Sequence, residues 1–285
     1  MTESTLRVVT VHPDLLGTYG DSGNALVLVQ RARWRGVPAV LVEAQSGKPL
    51  PQHGDIYCLG GGEDAPQTRA AIDLRSGGVL SSAVSFGAVL LAVCAGFQLL
   101  GESFTGPDGE LEQGLGILDM RTRRGSGRRA VGELASRASD RLGLGGASRM
   151  LTGFENHAGR TDLGEGVEPL GEVVTGVGNG SALAADGAVA ERVVGTYMHG
   201  PVLARNPALA DVLLSWVVGE LGPIDDVTAA TLDEETASLR AFVLGDGGSP
   251  WSPARGWSRL RRWRSRRPAS TRRREVRTAP PGGIV

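Results

Sequence analysis

Residues 88–101 read Ala88-Val-Leu-Leu-Ala-Val-Cys94-Ala-Gly-Phe-Gln-Leu-Leu-Gly101, an apolar run that stops at a cysteine. The segment before Cys94 has no polar face, which is typical of a strand buried in a parallel sheet. Phe97 and the leucines that follow have the spacing of a helix that begins directly after the turn. The stretch therefore predicts an α/β fold with Cys94 at the turn between a central strand and a helix.

Cys94 would occupy a nucleophile elbow, the tight turn that holds one side chain above the carboxyl end of a sheet. Its small neighbours Ala92, Ala95 and Gly96 leave room for the backbone to bend. The start of a helix favours a thiolate over a thiol, and its free amides can bind an oxyanion. A buried structural cysteine is the alternative that this stretch alone leaves open.

The first half of the chain alternates strands with helices, which favours a mostly parallel, doubly wound sheet. Sites in such sheets form beyond the carboxyl ends of the strands. The predicted strands are 6–12, 37–43, 55–59 and 88–93, and the predicted helices are 24–34, a segment that ends near residue 74, and the segment after the elbow.

After Leu115 the segments shorten and glycines multiply, which indicates short, mostly antiparallel strands. The predicted strands are 116–119, 150–154, 172–175 and 193–199, and the predicted helices are 208–221 and 228–244. We therefore expect one folded domain over residues 1–244 and a tail over residues 245–285.

The net charge of −1 hides an asymmetry, because the tail holds 11 arginines and only 2 acidic residues. The tail is also rich in proline and poor in aliphatic residues, so we expect it to be disordered and solvated. Trp251, Trp257 and Trp263 lie among the arginines and suggest, as the alternative, contact with an anionic membrane surface. Nucleic acid is not an expected partner.

The chain has two cysteines, Cys58 and Cys94, which do not make a disulfide framework. The amino terminus lacks the pattern of a signal peptide, and no apolar run approaches the roughly 20 residues that span a bilayer. We expect a cytoplasmic protein. Histidines and cysteines show no close ligand spacing, and no phosphate-binding Gly-Lys-Ser/Thr run is present, so neither a metal nor ATP is expected on this chain.

Three separate elements suggest one reaction. Cys94 is the candidate nucleophile, and His199 ends a predicted strand from which it could exchange a proton with the thiol and with a leaving amine. Residues 60–62 are glycines, whose amides can approach a substrate carbonyl because no side chain intervenes. Together these elements indicate acyl transfer through a thioester, although a structural histidine and an ordinary glycine turn remain alternatives for each element alone.

Motifs spread over residues 6–225 resemble the class I glutamine amidotransferases, in the branch that includes the cobyric acid synthase glutaminases. Within that branch the chain is similar to the glutaminase subunits of lipid II isoglutaminyl synthases. The motifs are Gly-Gly-Gly at 60–62, Cys-Ala-Gly-Phe-Gln at 94–98, Gly-Thr-Tyr-Met-His-Gly at 195–200, and the stretches 12–24, 59–64 and 153–161. The resemblance does not cover the tail.

The resemblance implies that Cys94 attacks the side-chain amide of glutamine and that His199 protonates the departing ammonia. Water would then release glutamate. The amides of Gly61 and Ala95 would form the oxyanion hole.

The resemblance also implies an arginine that holds the substrate carboxylate, because a planar guanidinium suits that group. Its position just before Val131-Gly-Glu133 favours Arg129 over Arg128 for this role. The alternative is that this arginine-rich loop is only a solvated basic surface. Gly60, Gly62 and Gln98 are likewise assigned to substrate binding.

The implied partner is a Mur ligase-like subunit that carries ATP and magnesium, receives the ammonia and amidates the D-glutamate of lipid II in peptidoglycan synthesis. A cobalamin-pathway amidase is the alternative acceptor. A cysteine hydrolase resembling γ-glutamyl hydrolase would need no partner. A non-catalytic interaction protein that keeps the fold is a further interpretation, which the intact Cys94, His199 and glycine run oppose.

One position departs from the family pattern. Many class I amidotransferases carry a glutamate two residues after the histidine, and this chain has Pro201 there. A proline cannot orient an imidazole through a carboxylate, so the third member of a triad is missing locally. We hypothesise that a partner's acidic residue completes the site, which would make activity depend on assembly.

Overall fold

The structure, a computed structural model, describes residues 5–245 apart from the side chain of Asp226. Strands and helices alternate as far as the elbow, and short strands dominate beyond it. The elements are β1 (Leu6–Val11), α1 (Gly23–Trp34), β2 (Ala39–Ala44), β3 (Ile56–Leu59), α2 (Asp64–Gly77), α3 (Val79–Ser85), β4 (Val89–Val93), α4 (Ala95–Leu99), β5 (Ser103–Thr105), β6 (Leu111–Gln113), β7 (Met120–Arg124), β8 (Ala130–Ala138), 3₁₀ turns at Asp140–Leu142 and Gly146–Arg149, β9 (Met150–His157), β10 (Gly159–Leu163), β11 (Gly171–Thr175), β12 (Ala185–Asp186), β13 (Ala188–Ala190), β14 (Val193–Thr196), α5 (Val202–Arg205), α6 (Pro207–Val218) and α7 (Asp226–Val243).

The central sheet has six strands in the order β13-β14-β4-β3-β1-β2. Neighbouring strands are parallel except for β13 and β14. Every residue of β4 is buried, as its continuous apolar sequence predicts. The helices pack in two groups, α1 with α5 and α6, and α2 with α3 and α4. These features confirm the predicted mostly parallel, doubly wound sheet.

Two four-stranded sheets form the second half, in the orders β10-β7-β5-β6 and β12-β11-β8-β9. Their pairs are antiparallel except for the single parallel contact between β5 and β7. The prediction of short, mostly antiparallel strands is confirmed. The long pair β8–β9 matters most here, because it carries one wall of the candidate site.

The strand predicted at 116–119 is wrong, since this segment is a turn and β7 begins only at Met120. Gly116 has a φ of +63°, which a strand does not allow. The amides of Ile117 and Leu118 both donate to the carbonyl of Leu100, at 2.8 and 2.9 Å. The turn therefore wraps around the end of the elbow helix instead of pairing with a neighbouring strand.

The last parallel strand is shorter than predicted, because β14 ends at Thr196 and His199 lies beyond it. The backbone of His199 pairs instead with Phe154 of β9, through N–H···O bonds of 2.8 and 3.1 Å in the two directions. His199 is thus fixed at the junction between the central sheet and the β8–β9 pair.

The predicted tail begins at Gly245, and its remaining residues, with the three tryptophans, lie outside the described residues. Within residues 5–245, no helix is long and apolar enough to cross a membrane.

Candidate active site

Cys94 follows directly on β4 and has φ +52° and ψ −108°, a region that non-glycine residues rarely occupy. Its amide donates to the carbonyl of Thr196 at 2.8 Å, and its carbonyl accepts the amide of Gln98 at 2.9 Å. Such backbone conformations cost about 1–3 kcal/mol and persist only where the surroundings impose them. The structure therefore places Cys94 at a nucleophile elbow, as predicted.

His199 lies beside Cys94 and is only 1% exposed. Its Nδ1 is 2.7 Å from Oδ2 of Asp21, a carboxylate that is itself 1% exposed. A carboxylate can only accept here, so Nδ1 carries the proton and Nε2 is the nitrogen left to exchange protons. Nε2 has no well-aligned hydrogen bond to any described residue, and Cys94 is the reactive group beside it.

The pKa of His199 reflects this environment. Burial by itself lowers it, but the hydrogen bond to Asp21 and the interaction with Cys94 outweigh burial and raise the pKa to about 10. The imidazolium is therefore the favoured form at neutral pH. A protonated ring holds the proton that a leaving amine requires.

Asp21 supplies the carboxylate for which the sequence analysis invoked a partner. It lies in the glycine-rich loop between β1 and α1, and Oδ2 also accepts the amide of Gly61 at 2.9 Å. The sequence offered one signal for it, an acidic residue in a loop that follows the carboxyl end of a strand. Nothing in the spacing connected that loop with His199, which lies 178 positions later.

Gly61 is a glycine because the histidine ring packs on it. A Cβ at this position would lie 2.5 Å from Cε1 of His199 and 3.2 Å from Oδ2 of Asp21. The glycine run thus makes space for the pair that orients the imidazole. Its amide is engaged by Asp21, which differs from the prediction that this amide would bind an oxyanion.

The other two glycines of the run, Gly60 and Gly62, differ in their position relative to the cavity beside Cys94. The carbonyl of Gly60 accepts the amide of Gly96 at 3.1 Å, which ties the run to α4, and Gly60 does not line the cavity beside Cys94. Gly62 does line it. Gly62 and Ala95 both line the cavity, and their amides donate to no acceptor among the described residues, so both can donate to an oxyanion.

A cavity opens beside the sulfur of Cys94, between α2, α4 and the β7–β10 region. It is polar, with several amide, hydroxyl and guanidinium groups and few apolar side chains. The lining residues that carry side-chain polar groups are Asp64, Gln67, Cys94, Gln98, Thr105, Thr122, Arg123, Arg124, Arg129, Asn156 and His157. Such a cavity suits a small polar substrate.

Of the two candidate arginines, Arg129 lines this cavity and Arg128 does not. The guanidinium of Arg129 is held by Asn156, through a hydrogen bond from Nε to Oδ1 and one of 3.0 Å from a terminal nitrogen to the backbone carbonyl. The Nδ2 of Asn156 in turn donates to the hydroxyl of Tyr19, whose ring packs edge-on against His199 with centroids 4.9 Å apart. Arg129 is thus linked by contacts to the imidazole.

Gln98 lies in the cavity wall, where both ends of its side-chain amide are already bonded. Its Oε1 accepts Nε2 of Gln67 at 2.9 Å, and its Nε2 donates to the hydroxyl of Tyr197 at 3.2 Å. The ring of Tyr197 stacks on His157 with centroids 3.8 Å apart. Gln98 is therefore a rigid part of the wall, and its second Nε2 proton is what remains for a substrate.

Buried polar groups also fix the turn that leads to His199. The carboxylate of Asp186 accepts the hydroxyl of Thr196 at 2.6 Å and the amide of Tyr197 at 3.1 Å. Burial raises the pKa of Asp186 to about 6 despite these bonds. Sequence reasoning missed this support, because a single aspartate in an irregular segment carries no recognisable pattern.

The elbow cysteine, the His199–Asp21 pair and the polar cavity form a site that fits cysteine-dependent acyl transfer. The chain belongs to the family of CobB/CobQ-like glutamine amidotransferase domains, which it matches over residues 7–207. Among the residues that the structure describes, no group of three or more His, Cys, Asp or Glu side chains is arranged to hold a metal ion.

The chain is also similar in sequence to individual proteins. It is 31% identical over 245 residues to subunit GatD of the glutamine-hydrolysing lipid II isoglutaminyl synthase of Streptococcus pneumoniae, covering 83% of this chain and 92% of that protein. It is 36% identical over 205 residues to the same subunit of Staphylococcus aureus, covering 70% and 79%. Against the cobyric acid synthase of Rhodobacter capsulatus it is 31% identical over 171 residues, covering 58% of this chain and 32% of that protein.

Proposed function

We propose that this chain is a glutaminase subunit, in which Cys94 hydrolyses glutamine through a thioester and the ammonia passes to a partner that amidates lipid II. The observation that carries the proposal is the buried Asp21–His199 pair beside Cys94 at an elbow that opens into a polar cavity. Family membership supports glutamine as the substrate.

The reaction begins when the Cys94 thiolate attacks the side-chain carbonyl carbon of glutamine. The oxyanion that forms lies near the free amides of Ala95 and Gly62. His199 then gives its Nε2 proton to the amide nitrogen, so that the carbon–nitrogen bond breaks, ammonia leaves and a glutamyl thioester remains.

Hydrolysis of the thioester uses the same groups, with His199 now taking a proton instead of giving one. Nε2 of His199, now neutral, takes a proton from a water molecule as the water attacks the thioester carbon. The carbon–sulfur bond breaks, glutamate is released, and the thiolate–imidazolium pair is restored. Asp21 keeps the ring oriented and stabilises its positive charge in both halves of the reaction.

The acceptor of ammonia is proposed from the relatives. Two GatD subunits match this chain over most of their lengths, and their names describe lipid II isoglutaminyl synthases. The partner in our proposal is a Mur ligase-like subunit that binds ATP, magnesium and lipid II, and the reaction takes place in the cytoplasm. An amidase of the cobalamin pathway is the second candidate, supported by the match to a third of a cobyric acid synthase.

The test follows isotope-labelled amide nitrogen from glutamine, using the full chain together with the Mur ligase-like partner, ATP and lipid II. We expect label in lipid II with the wild type and none with Cys94→Ala. Cys58→Ala is the matched control, because Cys58 is buried in β3 and burial raises the pKa of its thiol to about 12.

The outcomes separate the parts of the proposal. Labelled ammonia that depends on Cys94 but does not enter lipid II would retain the glutaminase and assign the acceptor elsewhere. Label in lipid II with Cys94→Ala would contradict the proposed role of this chain.

A further inference from the structure

The charges around the cavity are unequal. Three arginines line it, Arg123, Arg124 and Arg129, and within residues 5–245 Asp64 is the one acidic residue that does so. Arg129 has no carboxylate partner in the described part of the chain, whereas Arg123 pairs with Asp162 outside the cavity at 2.5 Å. The cavity thus presents one cation without a counter-charge and one anion.

The carboxylate of Asp64 is bound through only one of its two oxygens. Asp64 is the first residue of α2, two positions after Gly62, and its Oδ2 accepts a terminal nitrogen of Arg124 at 2.6 Å. Its Oδ1 has no hydrogen bond to any described residue. The side chain is 50% exposed, so this oxygen remains open to a ligand in the cavity.

Glutamine as a free amino acid carries complementary charges. Its α-carboxylate and α-ammonium lie on one carbon, and in an extended side chain the ammonium nitrogen lies about 5 Å from the amide carbon. A substrate whose amide reaches Cys94 therefore has both charged groups within the same small cavity, where Arg129 matches the carboxylate. The ammonium needs an acceptor oxygen, preferably a charged one.

We propose that Asp64 binds the α-ammonium of glutamine and selects the free amino acid over amides that lack this group or have it blocked. This inference rests on the glutaminase function proposed above. The alternative is that Asp64 and Arg124 form only a half-exposed ion pair, of a kind that commonly has little effect. The two interpretations differ in what they predict for a substrate without an amino group.

The experiment compares glutamine with glutaramate, the analogue that keeps the amide and the carboxylate but has no amino group. Ammonia release is measured for both, with the full chain and its partner in every assay. For the wild type we expect a strong preference for glutamine. Asp64→Asn should raise KM for glutamine about 10- to 100-fold, the usual effect of losing a charged hydrogen bond, and leave kcat within about threefold.

The distinguishing result is the behaviour of glutaramate. Asp64→Asn should leave its kcat/KM unchanged within about twofold, so that the preference for glutamine collapses. Glu63→Gln is the matched control, because Glu63 is the adjacent acid and does not line the cavity. This variant should behave like the wild type with both substrates.

Two results would overturn the assignment of Asp64. One is an unchanged preference in Asp64→Asn, and the other is an equal loss with both substrates, which indicates a general disturbance of the cavity. Thermal unfolding of each variant checks that the fold is intact. If the wild type releases no ammonia that depends on Cys94, the proposed function fails, and the assignment of Asp64 fails with it.

Discussion

Nδ1 of His199 lies 2.7 Å from Oδ2 of Asp21, and both side chains are almost completely buried. The contact joins the loop after β1 to the segment after β14, on either side of the strand that carries Cys94 in the central sheet. A Cys-His-Asp arrangement is therefore complete within this chain.

The first prediction concerns the carboxylate. Asp21→Asn keeps the size of the side chain but removes the charge that stabilises the imidazolium, so we expect kcat for glutamine hydrolysis to fall by about 10²-fold or more, with KM little changed. Steady-state ammonia release measures this. Asp14→Asn, an exposed aspartate of the same loop, is the control. Wild-type kcat in Asp21→Asn would show that His199 does not depend on this carboxylate.

The second prediction is a pH dependence. The pKa of His199 is raised to about 10, so the proton needed by the leaving ammonia is present at neutral pH and is lost only as the pH approaches that value. We expect kcat, measured at saturating glutamine, to decline on the alkaline side near pH 10. Asp21 raises this pKa, so Asp21→Asn should move the alkaline decline to lower pH. A decline at the same pH in both proteins would assign it to a different group.

The third prediction tests the packing of Gly61 under the imidazole. Gly61→Ala places a methyl group 2.5 Å from Cε1 of His199 and 3.2 Å from Oδ2 of Asp21, so the ring or the backbone at Gly61 must shift and the contact between His199 and Asp21 is disturbed. We expect kcat to fall about tenfold or more, because small displacements of catalytic groups are costly. Gly145→Ala is the control, since a Cβ there meets nothing within 4 Å. Equal activity of the two variants would mean that the ring is not held against Gly61.

The fourth prediction separates the two adjacent arginines. Arg129→Lys keeps the charge but loses the planar fork that contacts Asn156 and that, in our proposal, binds the substrate carboxylate, so we expect KM for glutamine to rise about tenfold with kcat nearly unchanged. Arg128→Lys should have no such effect, because Arg128 does not line the cavity. The reverse pattern in the steady-state constants would assign the carboxylate to Arg128.

The central sheet and the elbow could be predicted from sequence because their signals are local. A continuous apolar run, a cysteine and a small-residue turn specify β4 and its carboxyl end without reference to the rest of the chain. The segment 116–119 shows the limit of such reasoning. Its apolar residues resemble a strand, but their amides bind the carbonyl of Leu100, a contact that depends on the tertiary fold.

The candidate site was only partly predictable for the same reason. Cys94 and His199 each follow an apolar strand, and the end of an apolar strand can be recognised in the sequence. Asp21 lies in a polar loop, and its meeting with His199 depends on the strand order β14-β4-β3-β1. The contact of Arg129 with Asn156 depends on the β8–β9 register, in which Ala130 faces His157, and a register cannot be read from either strand alone.

The most direct test of the central claim is to look for the covalent intermediate. The chain and its partner are mixed with glutamine, quenched in acid within the first turnover, and digested for mass spectrometry of the peptide that contains Cys94. We predict a glutamyl adduct on Cys94 that is removed by hydroxylamine. Glutamine hydrolysis at the wild-type rate by Cys94→Ala, with no adduct on the wild-type peptide, would contradict the account.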